Sequence, residues 1–204
     1  MQSYAPATLG ELRNRAGGQP FLANTTLWVV LTLLIWALAT AVCWVGYTGE
    51  DDFFYARYAY LFHRPPIVWW EFRMPAILAI RTSFLIFGPT EFAAAIPSLL
   101  ASLAILGAVA WVVEWPRRLT WQSQSAMLLA ALIPIDVAFR SYPSANQLAA
   151  GMLAFGSACI LKGSRRVQIC GAALLAGGFI THELSLFYIA LFCLTLIAFD
   201  ARRF

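Results

Sequence analysis

The chain has 204 residues, of which 61% are hydrophobic and only 12% are charged. Soluble domains carry about 25% charged residues, so these proportions exclude an ordinary soluble fold and point to a protein built into a membrane. The formal net charge of +4 does not indicate nucleic acid as a partner, because in a membrane protein the place of each cation matters more than the sum.

Residues 1–26 hold Arg13 and Arg15 and read as a cytoplasmic N-terminal segment. A membrane helix needs about 20 mostly apolar residues. Leu27–Tyr47 meets that requirement and is too long for a signal-peptide core, so it is expected to be an uncleaved first span. A long loop, residues 48–91, follows it. Inside that loop Pro75–Gly88 is apolar but short, with Arg81 in its middle. Such a segment suits a helix lying at the interface better than a crossing one. Phe92–Val113, Ser123–Phe139, Gln147–Leu161, Val167–Ile180 and Leu184–Phe199 complete six expected spans.

The expected fold is therefore all-α: a polytopic membrane helix bundle with six transmembrane helices in one module, residues 27–204. Its long external first loop carries short interfacial helices. The positive-inside rule supports this count. With the N-terminus cytoplasmic, Arg117/Arg118, Lys162/Arg165/Arg166 and Arg202/Arg203 all fall inside. Treating Pro75–Gly88 as a span would put the first two groups outside. The outer side then collects Glu50, Asp51, Asp52, Glu71, Glu91, Asp136 and Glu183, with both histidines, His63 and His182. No expected span carries a charge near its centre, which argues against ion-coupled transport.

The four cysteines, Cys43, Cys159, Cys170 and Cys193, lie in apolar runs without metal-ligand spacing and read as small hydrophobes. The glycines at 151, 156, 171, 177 and 178 are expected to let helices approach closely.

The sharpest local feature is "GEDDFFYARYAY", Gly49–Tyr60. Three adjacent carboxylates at a membrane boundary suit a helix start, where acids favour the dipole. They also repel one another, and one acid would be enough for a cap. Asp51 and Tyr55 share a face at i, i+4. The loop interleaves aromatics with Arg57, His63, Arg64, Arg73 and Arg81, a mixture suited to a phosphate and a sugar ring. Farther along, Asp136 and Arg140 stand four apart and read as a helix-end pair. Asn146 and Gln147 suit sugar contacts, while Ser144 and Asn146 also read as helix caps. His182 and Glu183 read as the start of the last helix, capped by Thr181, or as ligand contacts.

The order of motifs resembles a family. An N-terminal span, then Asp51-Asp52-x-x-Tyr55-Ala56, a long outer loop, Phe87-Gly88-x-x-Glu91-Phe92 before the second span, and "GGFITHELSLF" near the end are similar to the multi-spanning GT-C glycosyltransferases that use polyprenyl-phosphate sugars. The protein O-mannosyltransferases and lipid A aminoarabinose transferases are of this kind. The resemblance covers Gly46 to Phe187. Ala95, Asn146 and His182 stand where that family commonly has Arg, Asp and Lys. Full members are considerably longer, so the chain reads as a truncated or fragmentary relative.

The resemblance implies a bacterial inner (plasma) membrane enzyme, active on its external face. It would transfer a sugar, with inversion, from a polyprenyl-phosphate donor to a hydroxyl of a glycan, lipid or protein acceptor. Asp51 would be the general base and Asp52 its orienting neighbour. Arg73, Arg81 and Arg140 would bind the donor phosphate. Glu50, Tyr55, Asn146, His182 and Glu183 would contact substrate. No metal or other cofactor is expected, although Asp51 and Asp52 have oxygen ligands suited to a divalent ion. The competing expectation is a non-catalytic lipid-binding or accessory subunit, working with a partner chain.

Overall fold

A computed structural model describes residues 25–47, 50–62 and 73–200 of the chain; the side chains of residues 50–52, 199 and 200 lie outside that description. The described residues are helical, with no strand among them. In chain order the helices are α1 (Thr25–Val42), α2 (Glu50–Tyr60), α3 (Met74–Phe87), α4 (Glu91–Val112), α5 (Trp121–Ala131), α6 (Pro134–Phe139), α7 (Ala145–Lys162), α8 (Arg165–Thr181) and α9 (Ser185–Asp200). Three stretches are long and apolar enough to cross a membrane: Thr25–Val42, Glu91–Val112 and Trp121–Phe139, the last counted through the break between α5 and α6.

Local chemistry sets several helix starts. The hydroxyls of Thr90 and Ser144 accept the backbone N–H of Ala93 and Gln147, which fixes the first turns of α4 and α7. Thr120 and Ser123 form a reciprocal capping box at α5. Pro134 opens α6, where a missing N–H costs nothing.

The bundle is built around α4 and α7, with α8 folded back on α7 through a short turn at Gly163 and Ser164. Glycines make these contacts possible. A Cβ on Gly156 would lie 2.9 Å from the Gly171 carbonyl oxygen, and one on Gly171 would lie 2.7 Å from that of Gly156. Gly151 is equally tight against the Ala101 backbone on α4. α1 packs on α5, α2 on α3, and α9 on α7 and α8.

The polarity of α1 is inverted relative to a soluble protein. Its exposed positions include Leu27, Leu34, Leu38 and Val42, while Trp28, Thr32 and Thr40 are buried. Lipid is as apolar as leucine, so the outward face needs no cover, and polar groups gain by turning inward.

The bundle has two chemically different ends. At one, Glu114 meets both Arg118 (2.7 Å) and Lys162 (3.3 Å), so the α4–α5 and α7–α8 turns lie together. Arg117, Arg165 and Arg166 belong to the same turns. At the other end Trp44 stacks on Phe92, and a Cβ on Gly46, at φ +69°, would collide with the Glu91 carboxylate. Ser144 N–H donates to Ser98 Oγ there, at 3.1 Å. Arg73 precedes α3 and reaches Glu183 between α8 and α9, whereas Phe87 ends α3 three residues short of Asp- and Lys-free α4. Both ends of α3 thus lie at this second end.

Candidate functional site

Four of the residues singled out from the sequence come together at the second end. Tyr55 on α2 is buried, at 3% exposure. The Arg73 guanidinium donates to its hydroxyl through a short Nη1 hydrogen bond. Arg73 Nη2 lies 3.4 Å from Glu183 Oε1. His182, buried beside Glu183, accepts the Leu184 N–H on Nδ1 at 3.2 Å. An Nδ1 that accepts leaves the neutral ring its proton on Nε2.

Burial disfavours the Arg73 charge, but the Tyr55 hydroxyl and Glu183 outweigh it and hold its pKa above the ordinary value. Burial pushes the His182 pKa down; Arg73 adds to the effect and Glu183 opposes it. Glu183 is held low, first by its own backbone N–H and then by His182 and Arg73. Its side chain is 65% exposed. Such a pair contributes little, about 0–1 kcal/mol, so Glu183 yields readily to another anion on Arg73.

Glu50, Asp51 and Asp52 form the first turn of α2, the helix that carries Tyr55. Their side chains, like His63, Arg64, Trp69, Trp70 and Glu71, lie outside the described residues. Arg81 takes a different position from Arg73. Its Nη1 donates to the Ala59 carbonyl at 3.0 Å, and its guanidinium sits 4.7 Å from the Phe62 ring centre. It thereby closes the C-terminal end of α2, where a cation is favoured.

Arg140 lies elsewhere again. It is fully buried with Asp136, and their side chains are 0% and 5% exposed. Asp136 Oδ2 accepts from Ser102 Oγ at 2.7 Å and from Arg140 Nη1 at 3.3 Å, and Oδ1 accepts from Gln147. Trp36 Nε1 donates to Ser102 Oγ at 2.9 Å, and its ring lies 5.1 Å from the Arg140 guanidinium carbon. Ser102 and Trp36 each stand well inside α4 and α1, many residues from either end. Asp136 in the first turn of α6 and Arg140 at its C-cap form the helix-end pair that their spacing predicts, and the fold buries it. The break at Leu132 and Ile133 ties the pair in further. It ends α5 halfway and frees the Ala131 carbonyl, which Arg140 Nη1 satisfies at 3.2 Å.

Asn146 is exposed, and its neighbour Gln147 points inward onto Asp136. One expectation changes. Thr181 ends α8 instead of capping α9, and its hydroxyl donates back to Gly177 at 2.7 Å. Sequence reasoning missed Ser102 and Trp36, which nothing distinguishes from ordinary span residues in a linear reading.

Beside α3 lies an apolar groove of about 480 Å³ between α3, α4, α7 and α8, lined by Thr82, Ile86, Leu100, Ala104 and Phe155 among others. Its size is that of a small-molecule site. Among the described residues no group of three or more His, Cys, Asp or Glu is placed to hold a metal. No family model matches the chain, and neither a curated protein nor a solved structure does.

Proposed function

We propose that the chain is a membrane glycosyltransferase of the GT-C kind, which moves a sugar from a polyprenyl-phosphate donor to an acceptor hydroxyl on the external face. The observation that carries this reading is the convergence of Tyr55, Arg73 and His182–Glu183 from three separate stretches, at the end of the bundle where the acid-led helix α2 begins. Arg73 binds the donor phosphate, displacing Glu183. Tyr55 holds the guanidinium in place. Asp51 is the general base for the acceptor hydroxyl and Asp52 orients it. The lipid chain follows α3 into the apolar groove, which the second half of that helix lines. In this reading six helices cross the membrane, α3 stays at the boundary, and the end bearing Glu114, Arg118 and Lys162 faces the cytoplasm. The lipid bilayer and the donor are partners, and a second subunit supplies whatever acceptor surface this chain lacks.

The test is a transfer assay with a radiolabelled polyprenyl-phosphate sugar in reconstituted vesicles. Wild type transfers, Asp51→Asn retains donor binding without transfer, and Arg73→Ala loses donor binding. Binding without transfer in the wild type would make the chain an accessory lipid-binding subunit. Absence of donor binding would remove the reading.

A further inference from the structure

The two turns at the end of the bundle that bears Glu114 hold five cations and a single acid. Arg117 and Arg118 follow α4, and Lys162, Arg165 and Arg166 flank the α7–α8 turn. All five are exposed. Glu114 accepts from both turns at once, from Arg118 Nε at 2.7 Å and from Lys162 Nζ at 3.3 Å. One carboxylate thus gathers the two turns into a single face and offsets only one of its charges.

The start of α8 sharpens the imbalance. A helix N-terminus carries partial positive charge and favours acids. α8 opens with Arg165 and Arg166 and no acid, and the Ser164 side chain at its N-cap makes no capping hydrogen bond. Two more positive charges at a positive helix end are eased by an anion held against them. Arginine suits phosphate best, because its planar fork meets two oxygens at a time.

The surroundings favour a lipid over a free anion. Trp111 stands one turn before Glu114, Leu161 adjoins Lys162, Ile169 follows Arg165 by one turn, and Trp121 opens α5; all four are exposed. Tryptophan beside cations marks the headgroup level of a bilayer. A free anion meets the cations alone, whereas a phospholipid also covers the apolar side chains. Basic faces between membrane helices take headgroups of this kind. With one arginine pair on each turn, the face matches two phosphates joined in one headgroup.

We infer that the α4–α5 and α7–α8 turns together bind the headgroup of an anionic phospholipid carrying two phosphates, one at Arg117–Arg118 and one at Arg165–Arg166, with its acyl chains against Trp111, Leu161 and Ile169. The site lies at the opposite end of the bundle from Tyr55 and Arg73 and is independent of the sugar transfer proposed there.

Native mass spectrometry of the full chain, released from detergent micelles, tests this with diphosphatidylglycerol, phosphatidylglycerol and inorganic pyrophosphate as probes. The wild type should bind diphosphatidylglycerol about tenfold or more tightly than phosphatidylglycerol, and pyrophosphate more weakly than either lipid. The pair Arg117→Gln/Arg118→Gln and the pair Arg165→Gln/Arg166→Gln should each lower diphosphatidylglycerol affinity about tenfold. Arg57→Gln, which removes an exposed cation of α2 at the other end, should leave it unchanged. Equal affinity for the two lipids overturns the inference, as does pyrophosphate binding as tight as the lipid, or an Arg57→Gln loss as large as that of either pair. The wild-type comparison needs no variant, so it decides the matter even where a variant misfolds.

Discussion

The cluster at Arg73 and the centre at Asp136 use the same chemistry, an arginine with a carboxylate, in opposite ways. At Arg73 the carboxylate partner is 65% exposed and 3.4 Å away. At Asp136 both carboxylate oxygens are taken by donors from α4, α7 and the segment after α6, and the pair is sealed. An exposed pair exchanges partners cheaply; a buried one holds only if every member stays. The difference separates a place where a ligand can enter from one that locks a broken helix to its neighbours.

The contrast is sharpest in stability. Asp136→Ala leaves a buried, uncompensated guanidinium and should cost about 3–5 kcal/mol, read as a fall in the unfolding midpoint in detergent. Replacing both partners, Asp136→Leu with Arg140→Met, should recover most of that loss. If the single variant melted like the wild type, the centre would not be the lock described here. Next in size is Gly156→Leu. Its side chain would meet the Gly171 carbonyl across the α7–α8 contact, and overpacking of this kind costs about 1–3 kcal/mol. Thermal unfolding of that variant checks whether the pair of glycines is truly at the helix interface.

Arg73→Ala should cost about 1–3 kcal/mol, mainly because the buried Tyr55 hydroxyl loses this donor, while the exposed Glu183 contributes little. Donor binding should also weaken about tenfold or more, because a charge-assisted hydrogen bond contributes about 1.5–3 kcal/mol. The smallest effect concerns pH. Burial holds His182 below its usual 6.5. The unfolded chain then binds more protons than the folded one at mildly acid pH. Stability is therefore complete above pH 6.5 and falls as pH drops through the depressed value. His182→Gln should remove that part of the slope in an unfolding series between pH 7 and 5.

Much of this was legible in the sequence. Composition and apolar runs pointed to the membrane class and to the apolar helices, and Ser144 marked a helix start that the structure keeps, whereas the caps at Thr90 and Thr120 show only in the structure. Tyr55, Arg73 and Glu183 each stand out in the sequence, but their contact does not. The burial of Asp136 was not legible. Hydropathy counts position along the chain and does not show which polar groups a break such as that before Pro134 turns inward. That Gln147 and not Asn146 turns inward was hidden for a similar reason. Which of two adjacent residues turns inward depends on helix rotation, fixed here by the contact of Ser144 with Ser98. Arg81 could not be told from Arg73 because both follow the same aromatic-rich loop, and only the fold shows one of them closing α2.

The most direct measurement is equilibrium binding of an unsugared polyprenyl phosphate to the purified chain, comparing wild type with Arg73→Ala and Arg140→Met/Asp136→Leu. The account predicts that Arg73→Ala alone loses affinity, about tenfold or more, while the double variant binds like wild type. Equal affinity in wild type and Arg73→Ala, or loss confined to the double variant, would contradict the placing of the lipid phosphate at the Tyr55–Arg73–Glu183 end.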